Sequence, residues 1–194
     1  MTPAPPPDLA KRIPLVETLA PDVEIHRFYT AAHHPFYFDR SAKGRFNASD
    51  GAYGVLYAAK SERGAFAETF LRVPGSTLIA ADFLARKAYV RMKTTREMRF
   101  IRFAGPGLAL LGATAEVVHG GLPYDVPQAW SAALYDHPSM ADGIAYNARH
   151  DDEASCYAVF ERAAGALHET HRLVDLDVNW FWDVAEVYGV GLAP

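Results

Sequence analysis

Between residues 44 and 72 the chain reads GRFNASDGAYGVLYAAKSERGAFAETFLR. Guanidinium groups (Arg45, Arg72), an amide (Asn47), a phenol (Tyr57) and a carboxylate (Glu68) stand here among small apolar residues. A guanidinium fork grips anionic oxygens in pairs. A carboxylate beside it can hold or shuttle protons, or face a developing cation. The set therefore suits a pocket for a charged ligand. It equally suits a surface helix on which Glu68 pairs with Arg72 across one turn.

Other chemistry-bearing patterns are poorer. In HETH, His168 and His171 are three apart, not the four of a zinc-protease helix. His33 and His34 are adjacent, so in a strand they face opposite ways. GPGLALLG, 105 to 112, lacks the Lys-Ser/Thr ending of a phosphate loop. No Gly-x-Ser-x-Gly elbow occurs, and the lone Cys156 reads as a buried thiol in a strand.

The elements that must position the first set follow from periodicity and punctuation. Residues 25–31 (IHRFYTA) and 51–59 (GAYGVLYAA) read as strands separated by a turn rich in Asn, Ser, Asp and Gly. Ser61 reads as an N-cap with Glu62 in the first turn, opening a helix over 62–73 that Pro74 and Gly75 end. On that helix Phe66, Phe70 and Leu71 form a core face, while Glu68 shares a side with Gly64, Ala65 and Arg72. Residues 76–93 predict a strand, a turn and a strand, and 98–104 another strand. A loop with a short helix follows over 105–113. Trp130, Ala133 and Leu134 mark an amphipathic helix over 126–137. Strands are predicted over 142–149, 155–161 and 170–178. Short strands with a few helices give an α+β domain over residues 21–194, after a Pro-rich arm over 1–20.

Half of the 194 residues are hydrophobic and 22% are charged, a globular composition. The formal net charge of -4 argues against bulk binding to a phosphate backbone. One cysteine permits no internal disulfide, and no apolar run approaches the about 18 residues of a membrane span. A cytoplasmic protein is expected.

In order, HRFY, GRFN, GVLYAA, AFAETFLR and DGIAYNARHDDEASCYAVFER resemble the motifs of the RES-domain toxins, which are the toxin halves of bacterial toxin–antitoxin pairs. The resemblance covers roughly residues 25 to 165. It implies a fold similar to the ADP-ribosyltransferases, with two packed, bent β-sheets and flanking helices. It implies NAD as substrate without a metal, and a cognate antitoxin covering the site, through which alone nucleic acid is approached. Carried over, Arg27 and Arg45 are the family arginines and would hold the pyrophosphate. Tyr57 is the strand tyrosine and would stack on nicotinamide. Glu68 is the helix glutamate and would face the oxocarbenium-like state of nicotinamide–ribose cleavage. Asn47 would offer its amide to a ribose hydroxyl or the carboxamide.

One position departs from the pattern. Where the family has Tyr-x-Ser-Arg, the chain has Tyr146-Asn147-Ala148-Arg149. Ala148, on one strand face with Tyr146, would look into the NAD pocket. The missing serine tilts the reading towards transfer of ADP-ribose onto a cellular protein, with water or phosphate as the other acceptors. It also keeps an inactive nucleotide- or partner-binding module in view. A ribonuclease toxin is a further reading, because Arg, Tyr and Glu can perform acid–base work on RNA.

Overall fold

Short strands rich in buried apolar residues join into one hydrogen-bonded sheet that spans the chain from Val16 to Leu173. The computed structural model describes residues 3–193. In chain order these form β1 (Val16–Leu19), β2 (Glu24–Thr30), β3 (Val55–Ala59), α1 (Glu62–Phe70), β4 (Leu78–Ile79), α2 (Ala81–Ala85), β5 (Lys87–Thr94) and β6 (Met98–Arg102). There follow α3 (Pro106–Leu111), α4 (Ala115–His119), α5 (Asp125–Tyr135), β7 (Gly143–Ala148), β8 (Asp151–Phe160), β9 (Leu167–Leu173), α6 (Asn179–Val187) and β10 (Gly191–Leu192). The α+β class is as expected. Among the described residues no helix is long and apolar enough to cross a membrane.

Eight strands pair in the order β1-β6-β7-β8-β3-β2-β5-β9, antiparallel except for β6 beside β7. Laid flat, seven inter-strand spacings would part the edges by roughly 34 Å. Yet Leu19 of β1, Met92 of β5 and Leu167 of β9 share one apolar cluster with Phe100 and Tyr157. The Thr94 hydroxyl also donates to the Ala20 carbonyl at 2.6 Å, and Asp22 N–H donates to the Thr94 carbonyl at 2.9 Å. The sheet therefore curls on itself, and its two halves pack face to face. The expectation of two separate sheets is corrected in this respect: β3 and β8 pair continuously from Val55↔Phe160 to Ala59↔Cys156 and join the halves. Apart from it, β10 pairs with β4 in a two-stranded sheet.

The weak link is between β2 and β3, which retain only the pair His26↔Ala59. From there the strands splay, and the gap becomes a cleft.

The helices cover the outer face. In α1 the Ser61 hydroxyl accepts from Gly64 N–H at 3.2 Å, the expected cap. The helix ends at Phe70, before the expected limit of 73. Phe66 is wholly buried, and Phe70 packs beside it. A Cβ on Gly64 would lie 3.0 Å from the Ala59 Cβ and 3.3 Å from the Ala154 Cβ, so the glycine lets α1 sit tightly on β3 and β8. Cys156 is a buried free thiol in β8.

The structure departs from the sequence reading in several stretches: β3 begins only at Val55, the turn expected within 76–93 is the helix α2, and two further segments differ more. The segment assigned to an N-terminal arm is largely built in: β1 pairs with β6, and Leu9 is buried. The Trp130 indole also donates to the Pro3 carbonyl at 2.7 Å. The strand expected over 170–178 stops at Leu173, and α6 follows. The alternating pattern of LVDLDV misleads, because the Asp175 carboxylate accepts from Asp177 N–H and turns the chain. The Asp177 carboxylate in turn accepts from the Trp182 indole at 2.8 Å. Phe181 of α6 then packs on Phe66 and Phe70, backing the helix that carries Glu68.

Replacing Gly64 with valine is expected to lower unfolding stability by about 1–3 kcal/mol, since the added carbons meet the strands beneath α1. Urea titration followed by circular dichroism measures this. An unchanged midpoint would show that α1 is not seated on β3 and β8 as described.

Candidate active site

A cleft of about 570 Å³ opens where β2 and β3 splay. The loop before β3, the second half of α1 and the turn after β7 complete its walls. Arg27, Lys43, Arg45, Arg72, Lys87 and Arg149 line it, against the carboxylates of Asp39 and Glu68. Excess positive charge therefore gathers here in a chain whose net charge is -4. Among the described residues no ion pair to a carboxylate joins any of these six cations. Such a lining suits a polyanion.

Arg27 sits in the seam. Its guanidinium donates to the carbonyls of Tyr57 at 3.2 Å and Tyr37 at 3.3 Å. The bond to Tyr57 stands where the pairing of β2 with β3 has been given up. Its Nε is buried without a partner. Burial lowers its pKa to about 10, partly offset by Asp39, so it stays a cation near neutrality. Arg45 donates to the Gly120 carbonyl and lies over the Tyr124 ring, 4.8 Å from its centre. Both arginines thus reach the cleft from separate segments.

Glu68 projects from α1 into the same space. The Tyr146 hydroxyl donates to its Oε2 at 2.8 Å, and Arg149 N–H reaches its Oε1 at 3.4 Å. The helical pairing with Arg72 is not an ion pair: the Arg72 Nε donates to the Glu68 backbone carbonyl at 3.1 Å.

Tyr57 lines the cleft, but its hydroxyl is committed to the neighbouring loop. It donates to Asn47 Oδ1 at 2.9 Å and accepts from Phe46 N–H at 2.8 Å. Burial raises its pKa well above the ordinary phenol range, so it stays protonated.

Two expected ligand contacts are corrected. Asn47 is fully buried, and its amide nitrogen is shared between Asp39 Oδ2 at 2.9 Å and the Ser41 carbonyl at 2.7 Å. It folds the loop that carries Arg45 and does not line the cleft. Gly44 is needed there, because a Cβ would lie 2.2 Å from Asn47 Oδ1. Ala148 belongs with Tyr146 to the core cluster on the helix-covered side, and it is wholly buried there. The register shifts between Asn147 and Ala148, and the cleft is reached instead by Arg149 and His150. Asn147 faces away and accepts from Arg102 at 2.8 Å.

Sequence reasoning did not find Tyr146, Arg149, His150, Lys43, Lys87, Tyr124 and Asp39 as parts of the site. Tyr146 had a legible signal, since it flanks the position that departs from the family pattern. Lys87 and Tyr124 had none, because only the folding of β5 and the loop before α5 brings them here. Burial lowers the Lys87 pKa, helped by nearby Arg72, Arg27 and Arg86, as expected where cations crowd together. Burial lowers the His150 pKa too, with Arg149 and Arg45 acting the same way against Glu68. Among the described residues no group of three or more His, Cys, Asp and Glu side chains is placed to hold a metal ion.

The RES domain family model matches residues 21–183. No curated protein matches the sequence significantly. A chain of the crystal structure of the M. tuberculosis MbcT–MbcA toxin–antitoxin complex superposes with a TM-score of 0.68 at 16% identity. The overlap covers 94% of this chain and 100% of that one, so the two share a fold. With the family model spanning β2 to α6, where the cleft and both sheet halves lie, this chain belongs to the RES-domain family.

Proposed function

We propose that the protein is the toxin of a toxin–antitoxin pair, and that its cleft binds NAD and breaks the nicotinamide–ribose bond. The observation that carries this reading is one carboxylate, Glu68, held by two donors inside a cleft lined by unpaired cations. NAD presents the complementary chemistry: an anionic pyrophosphate and a glycosidic bond to a cationic leaving ring.

In this reading Arg27 and Arg45 grip the pyrophosphate. The unpartnered Nε of Arg27 is a donor waiting for an acceptor. The Tyr57 ring backs the nicotinamide, its hydroxyl fixed by the loop. As the bond lengthens, the pair of electrons leaves with nicotinamide and the ribose carbon becomes oxocarbenium-like. Glu68 faces that charge and stabilises it. The acceptor then adds at the same carbon and gives up its proton, and a protein side chain, water or phosphate satisfies this balance. The curled sheet with its cleft at the split supports an ADP-ribosyltransferase-like fold. No step calls for a metal.

The burial of Ala148 weakens the inactive-module reading, because the departing position does not touch the ligand space. The family membership and the fold shared with a chain from a toxin–antitoxin complex support an antitoxin partner that closes this cleft.

Incubation of the purified protein with NAD is expected to release nicotinamide, read by chromatography. Glu68→Gln keeps the shape and removes the charge; it is expected to abolish release and growth arrest on expression while the protein stays folded. Wild-type release by this variant would remove Glu68 from the chemistry.

Arg27→Lys and Arg45→Lys keep the charge but lose the fork. Each is expected to weaken NAD binding about tenfold by calorimetry, as loss of a charged hydrogen bond predicts. Arg99→Lys, at an exposed position in β6, is expected to bind as the unaltered protein does. Equal affinities in all three variants would refute the pyrophosphate assignment.

A further inference from the structure

We infer that Tyr146 is the positioning residue of the Glu68 carboxylate, fixing its orientation towards the bond that breaks. This inference rests on the proposed NAD cleavage by Glu68. Glu68 and Tyr146 stand on different elements, α1 and β7, and meet across the gap between helix and sheet. A glutamate near the end of a helix has three side-chain torsions to settle. Here both carboxylate oxygens are tied to one short stretch of chain: Oε2 to the Tyr146 hydroxyl and Oε1 to the Arg149 N–H. The carboxylate plane is thereby set by the strand, not by the helix that carries it.

Tyr146 is itself held rigidly. It is buried at 2% exposure, its backbone pairs with Cys156, and its ring meets the Phe46 ring edge-on at 5.1 Å. Phe46 also donates its N–H to Tyr57 and directly follows Arg45. The carboxylate and the loop bearing the arginine are thus referred to one aromatic contact. Burial, then the nearby Glu68, push the Tyr146 phenol far above its ordinary range. It therefore remains a donor at every working pH and takes no proton from Glu68. Alignment of this kind acts on the transition state more than on binding.

The groups facing Glu68 are Tyr146 from β7, the Arg149 N–H and His150 from the turn, Tyr57 from β3, Cys156 from β8 and Arg72 from its own helix segment. Of these side chains His150 also titrates in the acid range, and the variants below leave it in place.

The test is Tyr146→Phe, which deletes one hydroxyl. Nicotinamide release is expected to fall about tenfold in kcat, the scale of one hydrogen bond to a charged group. KM and the calorimetric affinity for NAD are expected to stay within about twofold, below the tenfold step of 1.4 kcal/mol. A carboxylate that loses a donated hydrogen bond takes up its proton at higher pH. The acidic limb of the kcat profile is therefore expected to move up. In a Glu68→Gln background, Tyr146→Phe is expected to cost nothing further. Tyr146→3-fluorotyrosine keeps the ring and strengthens the donor. It is expected to move the acidic limb down, and it replaces the phenylalanine variant if that fails to fold. Opposite movements are not produced by lost packing. A kcat and acidic limb unchanged in both variants, with Glu68→Gln inactive, would overturn the positioning role alone. No nicotinamide release from the unaltered protein would overturn the NAD reading and this inference with it.

Discussion

The split between β2 and β3 is the constraint on which the rest depends. The curled eight-stranded sheet gives up the pairing of β2 with β3 beyond His26↔Ala59. Broken pairing leaves backbone carbonyls without partners in a semi-buried seam, which is costly. Arg27 supplies a donor to one of them, the Tyr57 carbonyl, and a second to the Tyr37 carbonyl in the loop after β2. A guanidinium can serve both while its remaining donors point elsewhere, because its five N–H groups are spread over a rigid fork. One side chain thus completes the fold and places positive charge at the bottom of the cleft.

Around this seam, polar residues act mainly as scaffold. Asp39, Ser41, Asn47 and Tyr57 close a hydrogen-bonded ring that shapes the loop carrying Arg45. Every polar atom used in the loop is lost to a ligand, which is why Asn47 is buried and Arg45 is displayed. The same division holds across the cleft, where Tyr146 is spent on Glu68. A site of this kind is preorganised, and ligand binding need not order its walls.

Charge is distributed with similar economy. Away from the cleft, cations find carboxylates: Arg96 forks onto Asp142, and Arg102 meets Glu17, which also accepts from Tyr157. Among the described residues, the six cations that line the cleft have no carboxylate ion-pair partner. Their crowding raises the local positive potential of the cleft. The overall charge of -4 hides this entirely, since composition averages over a surface on which the two signs are segregated.

The sequence by itself determined the local elements whose signals are short-range. Ser61 capped α1, Trp130 and Leu134 marked the buried face of α5, and β-branched and aromatic residues placed β2. It also singled out Arg27, Arg45, Tyr57 and Glu68 through ordered motifs, and all four line one cleft. Only the tertiary structure decided which of the neighbouring residues face that cleft. Asn47 and Ala148 lie beside the right motifs, yet loop closure turned one inward and the hydrophobic core enclosed the other. Lys87, Tyr124 and His150 joined the site from distant segments. Periodicity gives which side chains share a face, but not which element packs on that face. That choice is made by long-range pairing of strands and seating of helices, and no local window of sequence contains it.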